Sequence, residues 1–173
     1  MKANWIGGVA AGLLALCAAP AQAQQTVFMP IVIEVSGNGA VSGTNFRDGA
    51  LMAIDEINAK GGILKRRINA PVSDTQSNAG ISRAQVQKAI DGDPYVILGP
   101  VFSGSVKVNM LLAQQAEIPQ MTGAEAAEIT QMGNDYIFRT SFGQQMSMPK
   151  MANFVAQGIK AMVFALMPCA TCS

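Results

Sequence analysis

Five short apolar runs, at residues 27–35, 68–73, 95–98, 118–121 and 136–139, alternate with stretches whose apolar residues return at helical spacing. That alternation constrains the chain more than any other feature. A strand, a helix and a second strand form a crossover unit, with the strands parallel and the helix laid over one face of their sheet. The expected fold is therefore α/β, a doubly wound parallel sheet. The first run is β-branched and is broken only by Pro30 and Glu34. A helix is expected from about residue 43 to 60, with Phe46, Ala50, Ala53, Ile54 and Ile57 inward and Gly61-Gly62 as its stop. Pro71 in the second run argues for an edge strand. Asn78 is placed to cap a second helix carrying Ile81, Ala84, Ala89 and Ile90 inward, and a third helix turns Val106, Met110, Ala113 and Ala116 inward. A further helix around residues 148–157 and a strand around 162–166 follow.

Composition narrows the chemistry. The 173 residues carry 12 Lys and Arg against 11 Asp and Glu, a formal charge of +1, which gives no bulk electrostatic case for nucleic acid or an anionic membrane. Histidine is absent, so imidazole acid–base catalysis, Ser-His-Asp and Cys-His arrangements and His-containing zinc sites are excluded. Gly-x-Ser-x-Gly and P-loop patterns are absent too. No cofactor or metal is expected.

The first residues read as an address. Lys2 is followed by an uncharged Ala- and Leu-rich run from Trp5 to Ala19, and Ala21-Gln22-Ala23 supplies small residues at a cleavage site. This is the pattern of a Sec-type signal peptide over residues 1–23, since the apolar run is shorter than the ~20 residues of a spanning helix. Export to the periplasm is expected. Cys169 and Cys172 then remain, a Cys-x-x-Cys pair free to close or cross-link in an oxidising compartment.

In parallel sheets, ligands sit outside the carboxyl ends of the strands. That rule selects the loops at residues 36–43, 99–105 and 122–126. In the second, a strand ends, Gly99 turns the chain, and Ser103 stands where a helix begins. A helix start has unpaired N–H groups and a partial positive charge, a seat for an anionic group; alternatively Ser103 caps its own helix. Gly37-x-Gly39-x-x-x-Gly43, with Asp74 downstream, approaches a dinucleotide fingerprint but has the wrong glycine spacing. Glu125 faces a ligand ammonium or complements a helix start, and Asp74 caps a turn.

Several motifs resemble the leucine/isoleucine/valine-binding family of ABC-transporter substrate-binding proteins. They are the stretch from Gly49 to Gly62 ending Asp55-Glu56-Ile57-Asn58-Ala59-Lys60-Gly61-Gly62, Ile97-Leu98-Gly99-Pro100 with Ser103 and Ser105, Ile118-Pro119, and Tyr136-Ile137-Phe138-Arg139-Thr140. The resemblance implies a two-lobed type I periplasmic receptor that closes on an amino acid or related small carboxylate and delivers it to an inner-membrane permease, without catalysis. It implies that Ser103 holds the solute carboxylate and that Ala124 offers a carbonyl to the ammonium group. Glu125 or Ala126 stands near a threonine that the family has and this chain lacks. Ser42 lies at the entrance, and Phe102 stands where the family can place a cysteine, so its first-lobe disulfide is absent.

The resemblance divides the chain into a signal peptide (1–23), a ligand-binding lobe (24–140) and the truncated start of a second lobe with an atypical tail (141–173). An incomplete sheet exposes an edge and apolar surface, so self-association is expected. The same fold also serves ligand-sensing receptors. A fragment that binds nothing and an exported α/β enzyme are the remaining readings.

Overall fold

The computed structural model describes residues 26–159. The signal segment, the Cys169/Cys172 pair and the strand expected around 162–166 lie outside them.

The first apolar run forms two strands, β1 (Val27–Phe28) and β2 (Ile31–Ile33), divided at Met29-Pro30. Pro71 likewise divides the second run into β3 (Ile68–Asn69) and β4 (Val72–Asp74), because proline has no N–H to give a ladder. The remaining strands are β5 (Ile97–Leu98), β6 (Gln120–Thr122) and β7 (Ile137–Arg139). The main sheet runs β4-β2-β5-β6-β7, entirely parallel, and β1 pairs with β3 as a parallel extension. The parallel α/β architecture and the edge position of β4 match the sequence reading.

Four helices connect or follow these strands: α1 (Ala40–Ala59), α2 (Ala79–Ile90), α3 (Ser103–Gln115) and α4 (Gln144–Asn153). Neighbouring residues of β2 point to opposite faces, and both faces are sealed. Val32 joins Val86 and Ala89 of α2 and Leu112 of α3, whereas Ile31 and Ile33 pack with Ile54 of α1 and Ile68. A third cluster joins Val106 and Met110 of α3 to Ala124, Ala126, Ile129 and Ile137. A strand covered on both faces has to be apolar throughout, and β2 is.

Local chemistry sets the helix boundaries. The Asn78 side chain accepts a hydrogen bond from the Ile81 N–H (3.0 Å), capping α2 as expected. Past α1, the Gly62 N–H reaches back to the Ile57 carbonyl (2.9 Å), the glycine-terminated stop expected from Gly61-Gly62. Asn58 then ties α1 to β3: its Oδ1 accepts from the Ile68 N–H (2.7 Å) and its Nδ2 donates to the Ile68 carbonyl (3.0 Å).

Three expected inward positions face out instead. Ala53 and Ile57 of α1 and Ala84 of α2 are exposed. The buried stripe of α1 runs through Phe46, Ala50 and Ile54, four residues apart, and leaves the other two on its flanks. On α2 the buried residues are Ser82, Val86 and Ala89. Ser82 belongs there because its Oγ accepts from Asn109 Nδ2 of α3 (2.8 Å). The helix expected at 148–157 begins earlier, at Gln144, and passes into a wider π turn over Phe154–Ile159.

Gly99 ends β5 with φ +90°, and a Cβ there would overlap the Val32 carbonyl oxygen. Gly99→Ala is expected to cost about 2 kcal/mol or more from backbone strain and that overlap. Urea unfolding checks this, and a change below about 0.5 kcal/mol, the range of an ordinary surface substitution, would contradict it.

Candidate functional site

The strand order β4-β2-β5 reverses the direction of winding at β2, and the crevice beside such a reversal is where doubly wound sheets bind ligands. Three segments meet at that carboxyl edge: residues 34–39 after β2, residues 99–102 after β5, and residues 123–126 after β6. Buried polar side chains of the next strand hold them in place. Gln120 Nε2 donates to the Gly99 carbonyl (2.9 Å), and Thr122 Oγ1 donates to the Pro100 carbonyl (2.6 Å) while accepting from the Ala124 N–H (3.0 Å). The loop after β5 is thus fixed by side chains of β6.

Ser103 opens α3 but does not cap it: the N-cap is Phe102, in extended conformation. Instead, Ser103 Oγ accepts from the Ala126 N–H (3.3 Å), joining the helix start to the loop after β6. A hydroxyl that accepts in this way keeps its own proton available to donate. The N–H groups of Ser103, Gly104 and Ser105 belong to the first turn, which has no intrahelical acceptors.

Around Ser103 the other expected residues take distinct places. Ala124 is fully buried, and its carbonyl accepts from Ser141 Oγ (3.2 Å), which uses one of two lone pairs. The Glu125 side chain is exposed, while its carbonyl accepts from the Gln144 N–H (2.9 Å) and Arg139 Nη1 (3.0 Å). The Ala126 side chain is buried with Val106, Met110, Ile129 and Ile137, so this residue meets Ser103 through its N–H. Phe102 is half-buried, with its ring edge against Gly39. Ser42, expected in an entrance loop, is exposed in the first turn of α1, because the helix starts at Ala40 and shortens that loop.

Asp74 serves the loop after β2. Its Oδ1 accepts from the N–H groups of Val35 (2.9 Å), Ser36 (3.1 Å) and Gln76 (2.8 Å), and its Oδ2 from Ser36 Oγ (2.6 Å). The turn-capping role expected of it is therefore present, spread over two loops. Burial works to raise its pKa, but these hydrogen bonds outweigh it and hold the carboxyl below its ordinary value. Glu128 lies in a 3₁₀ turn (Ala127–Thr130) and pairs with Lys107 Nζ of α3 (2.6 Å). The Lys107 hydrogen bond lowers its pKa.

Sequence reading passed over two residues that organise this edge. Arg139, at the end of β7, donates from Nη2 to the Ala126 carbonyl (2.8 Å) and to Thr130 Oγ1 (3.0 Å) as well as to Glu125, pinning the loop after β6. Glu34 follows β2 and is fully buried, and its carboxylate accepts from the N–H groups of Val101 (3.0 Å) and Phe102 (3.4 Å). The available signal was an acid standing alone in an otherwise apolar strand. Among the described residues no His, Cys, Asp and Glu group is arranged to hold a metal, and no helix is long and apolar enough to cross a membrane.

Burial pushes the Glu34 pKa above 4.5, against the hydrogen bonds from Val101, its own N–H and Phe102, and the Asp74 charge pushes it the same way as burial. The sign follows. A folded-state pKa raised above the unfolded value gives stability that is complete below 4.5 and is lost as pH rises through the folded value. Asp74 acts oppositely, with stability present above 3.8 and lost as pH falls through its lowered value. Urea midpoints measured across about pH 4 to 8 should fall with rising pH in the unmodified chain relative to Glu34→Gln. Parallel curves would contradict this.

Comparison with known proteins agrees with this fold. A family model described as periplasmic binding protein matches residues 26–167. The Leu/Ile/Val-binding protein BraC3 of Rhizobium johnstonii is 28% identical over 153 residues, covering 87% of this chain and 41% of the relative. Leu/Ile/Val-binding protein homolog 1 of Brucella abortus is 34% identical over 143 residues, covering 81% of this chain and 38% of the relative. Among solved structures, the branched-chain amino acid transporter substrate-binding protein LivJ of Streptococcus pneumoniae, in complex with isoleucine, superposes with a TM-score of 0.76 at 27% identity. The match covers 79% of this chain and 40% of that one. A solute-binding protein of an ABC transporter from R. palustris, in complex with 4-hydroxybenzoate, gives 0.67 at 27% identity, covering 78% of this chain and 36% of that one. The chain spans about two fifths of the length of these relatives. With its parallel sheet, its winding reversal beside β2 and a family match over most of its length, the chain belongs to the periplasmic binding protein family.

Proposed function

We propose that this chain carries the first lobe of the solute-binding component of an ABC uptake system, with an amino acid of the branched-chain type or a related small carboxylate as its solute. Residues 1–23 direct export to the periplasm, residues 24–140 form the lobe, and residues 141–173 begin a second. Closure of the second lobe buries the solute and presents a joint surface to an inner-membrane permease. The function is capture and delivery, with no bond made or broken.

The observation that carries this reading is the hydrogen bond from the Ala126 N–H to Ser103 Oγ. It brings the start of α3 and the loop after β6 into one wall of the crevice, and it leaves the Ser103 hydroxyl proton to be donated beside the first-turn N–H groups. A carboxylate fits such a wall, since N–H donors and a helix start both favour negative charge. Isoleucine and 4-hydroxybenzoate, the ligands of two structural relatives, differ in body but share a carboxylate. Ala124 and Glu125 form the other polar end, where the Glu125 carboxylate offers a partner to an ammonium group. Phe102 and Ser42 border the entrance. Past β7, exposed Phe142, Met146, Met151 and Phe154 make an apolar surface suited to further packing, which supports reading residue 141 onward as the second lobe.

Nuclear magnetic resonance of the labelled chain from Gln24 onward tests the carboxylate seat, using isoleucine and 4-hydroxybenzoate as probes. The amides of Ser103, Gly104, Ser105 and Ala126 should shift on titration, and Ser103→Ala should weaken binding about tenfold, the loss of one charge-assisted hydrogen bond. Shifts confined to other regions, or an affinity indifferent to Ser103→Ala, would remove Ser103 from the site.

A further inference from the structure

Glu34 occupies the winding reversal itself, between the end of β2 and the loop leading into α3. Its carboxylate accepts hydrogen bonds from the N–H groups of Val101 and Phe102, the residues immediately before Ser103. The start of α1 closes over it without side chains. A Cβ on Gly43 would overlap the Glu34 carbonyl oxygen, and one on Gly39 would come within 3.0 Å of Glu34 Cγ and 2.7 Å of the Phe102 ring. Glu34, Gly39, Gly43 and Phe102 therefore make one closed packet, with the acid fully buried inside it.

A carboxylate in such a place is a poor choice for stability. Desolvation is costly, and the N–H donors around it return only part of that cost. An apolar side chain would fill a purely structural position at lower free energy. A carboxylate does one thing that an apolar residue does not: it fixes the direction of the two N–H groups that precede the helix start. We propose that Glu34 is the positioning residue of the solute site: through the N–H groups of Val101 and Phe102 it holds the segment leading into α3, and so sets where Ser103 and the first-turn amides stand. This rests on the carboxylate-seat reading above. Glu34 touches no solute and acts only through the loop.

The test compares the chain from Gln24 onward with its Glu34→Gln variant, which keeps the shape but replaces one acceptor oxygen with a donor. Two quantities are read by nuclear magnetic resonance: amide hydrogen exchange, and affinity for 4-hydroxybenzoate and isoleucine. In the variant, exchange at Val101 and Phe102 should accelerate about tenfold or more, and probe affinity should weaken about tenfold. Exchange in α2, at Ser82 and Val86, should be unchanged. A merely structural role would instead accelerate α2 together with the loop, and that result overturns the proposal. So does an affinity within about twofold of the unmodified chain. If the unmodified chain binds neither probe, the carboxylate seat fails while the exchange data still report whether Glu34 holds the loop; equal exchange at Val101 and Phe102 in both proteins would overturn the proposal on its own.

Discussion

Strand β2 is closed on every side: β4 and β5 pair with its two edges, and helices cover its two faces. Such a strand has one direction left in which to present chemistry, its carboxyl end. The candidate site is gathered there. The first buried carboxylate after the strand, the turn at Gly99 and the start of α3 follow within one small volume because parallel strands deliver all their carboxyl ends to the same edge.

Polar groups, together with the apolar cluster around Ala124 and Ala126, hold that edge together. Gln120 and Thr122 of β6 donate to the carbonyls of Gly99 and Pro100, Arg139 of β7 donates to the loop after β6, and Asp74 after β4 gathers the loop after β2. Each bond runs from a residue in or just after one strand to a neighbour's loop. Their net contribution to stability is modest, about 1 kcal/mol apiece. Their geometric effect is larger, because backbone donors pre-aimed at a crevice spend little ordering free energy when a solute arrives. Under the proposed function, such a pre-formed edge would be one half of a site that a second lobe completes.

Much of the fold was legible from sequence because it rests on local signals. Hydrophobic alternation gave the parallel sheet, Pro71 the edge strand, Asn78 the cap of α2 and Gly61-Gly62 the end of α1. Helix faces were less legible. Ala53, Ile57 and Ala84 fit an apolar period, yet they lie outside because the width of each buried stripe depends on which neighbour covers the helix. At the candidate site, strand and helix ends together with the family resemblance pointed to Ser103 and the 124–126 loop, and the structure brings these two into contact. Glu34 and Arg139 were not found, because their partners are backbone groups separated by 67 residues in one case and 13 in the other. A linear pattern can show an acid standing alone in an apolar strand, as Glu34 does, but not which distant N–H or carbonyl is its partner.

At the centre of the proposed function is a carboxylate seated by the start of α3 at the winding reversal. A crystal structure of the chain grown with 4-hydroxybenzoate tests it most directly. The carboxylate is expected against Ser103 Oγ and the amides of residues 103–105, with Glu34 still bonded to Val101 and Phe102 behind it. A carboxylate bound elsewhere, with the start of α3 covered by the chain's own side chains, would contradict it.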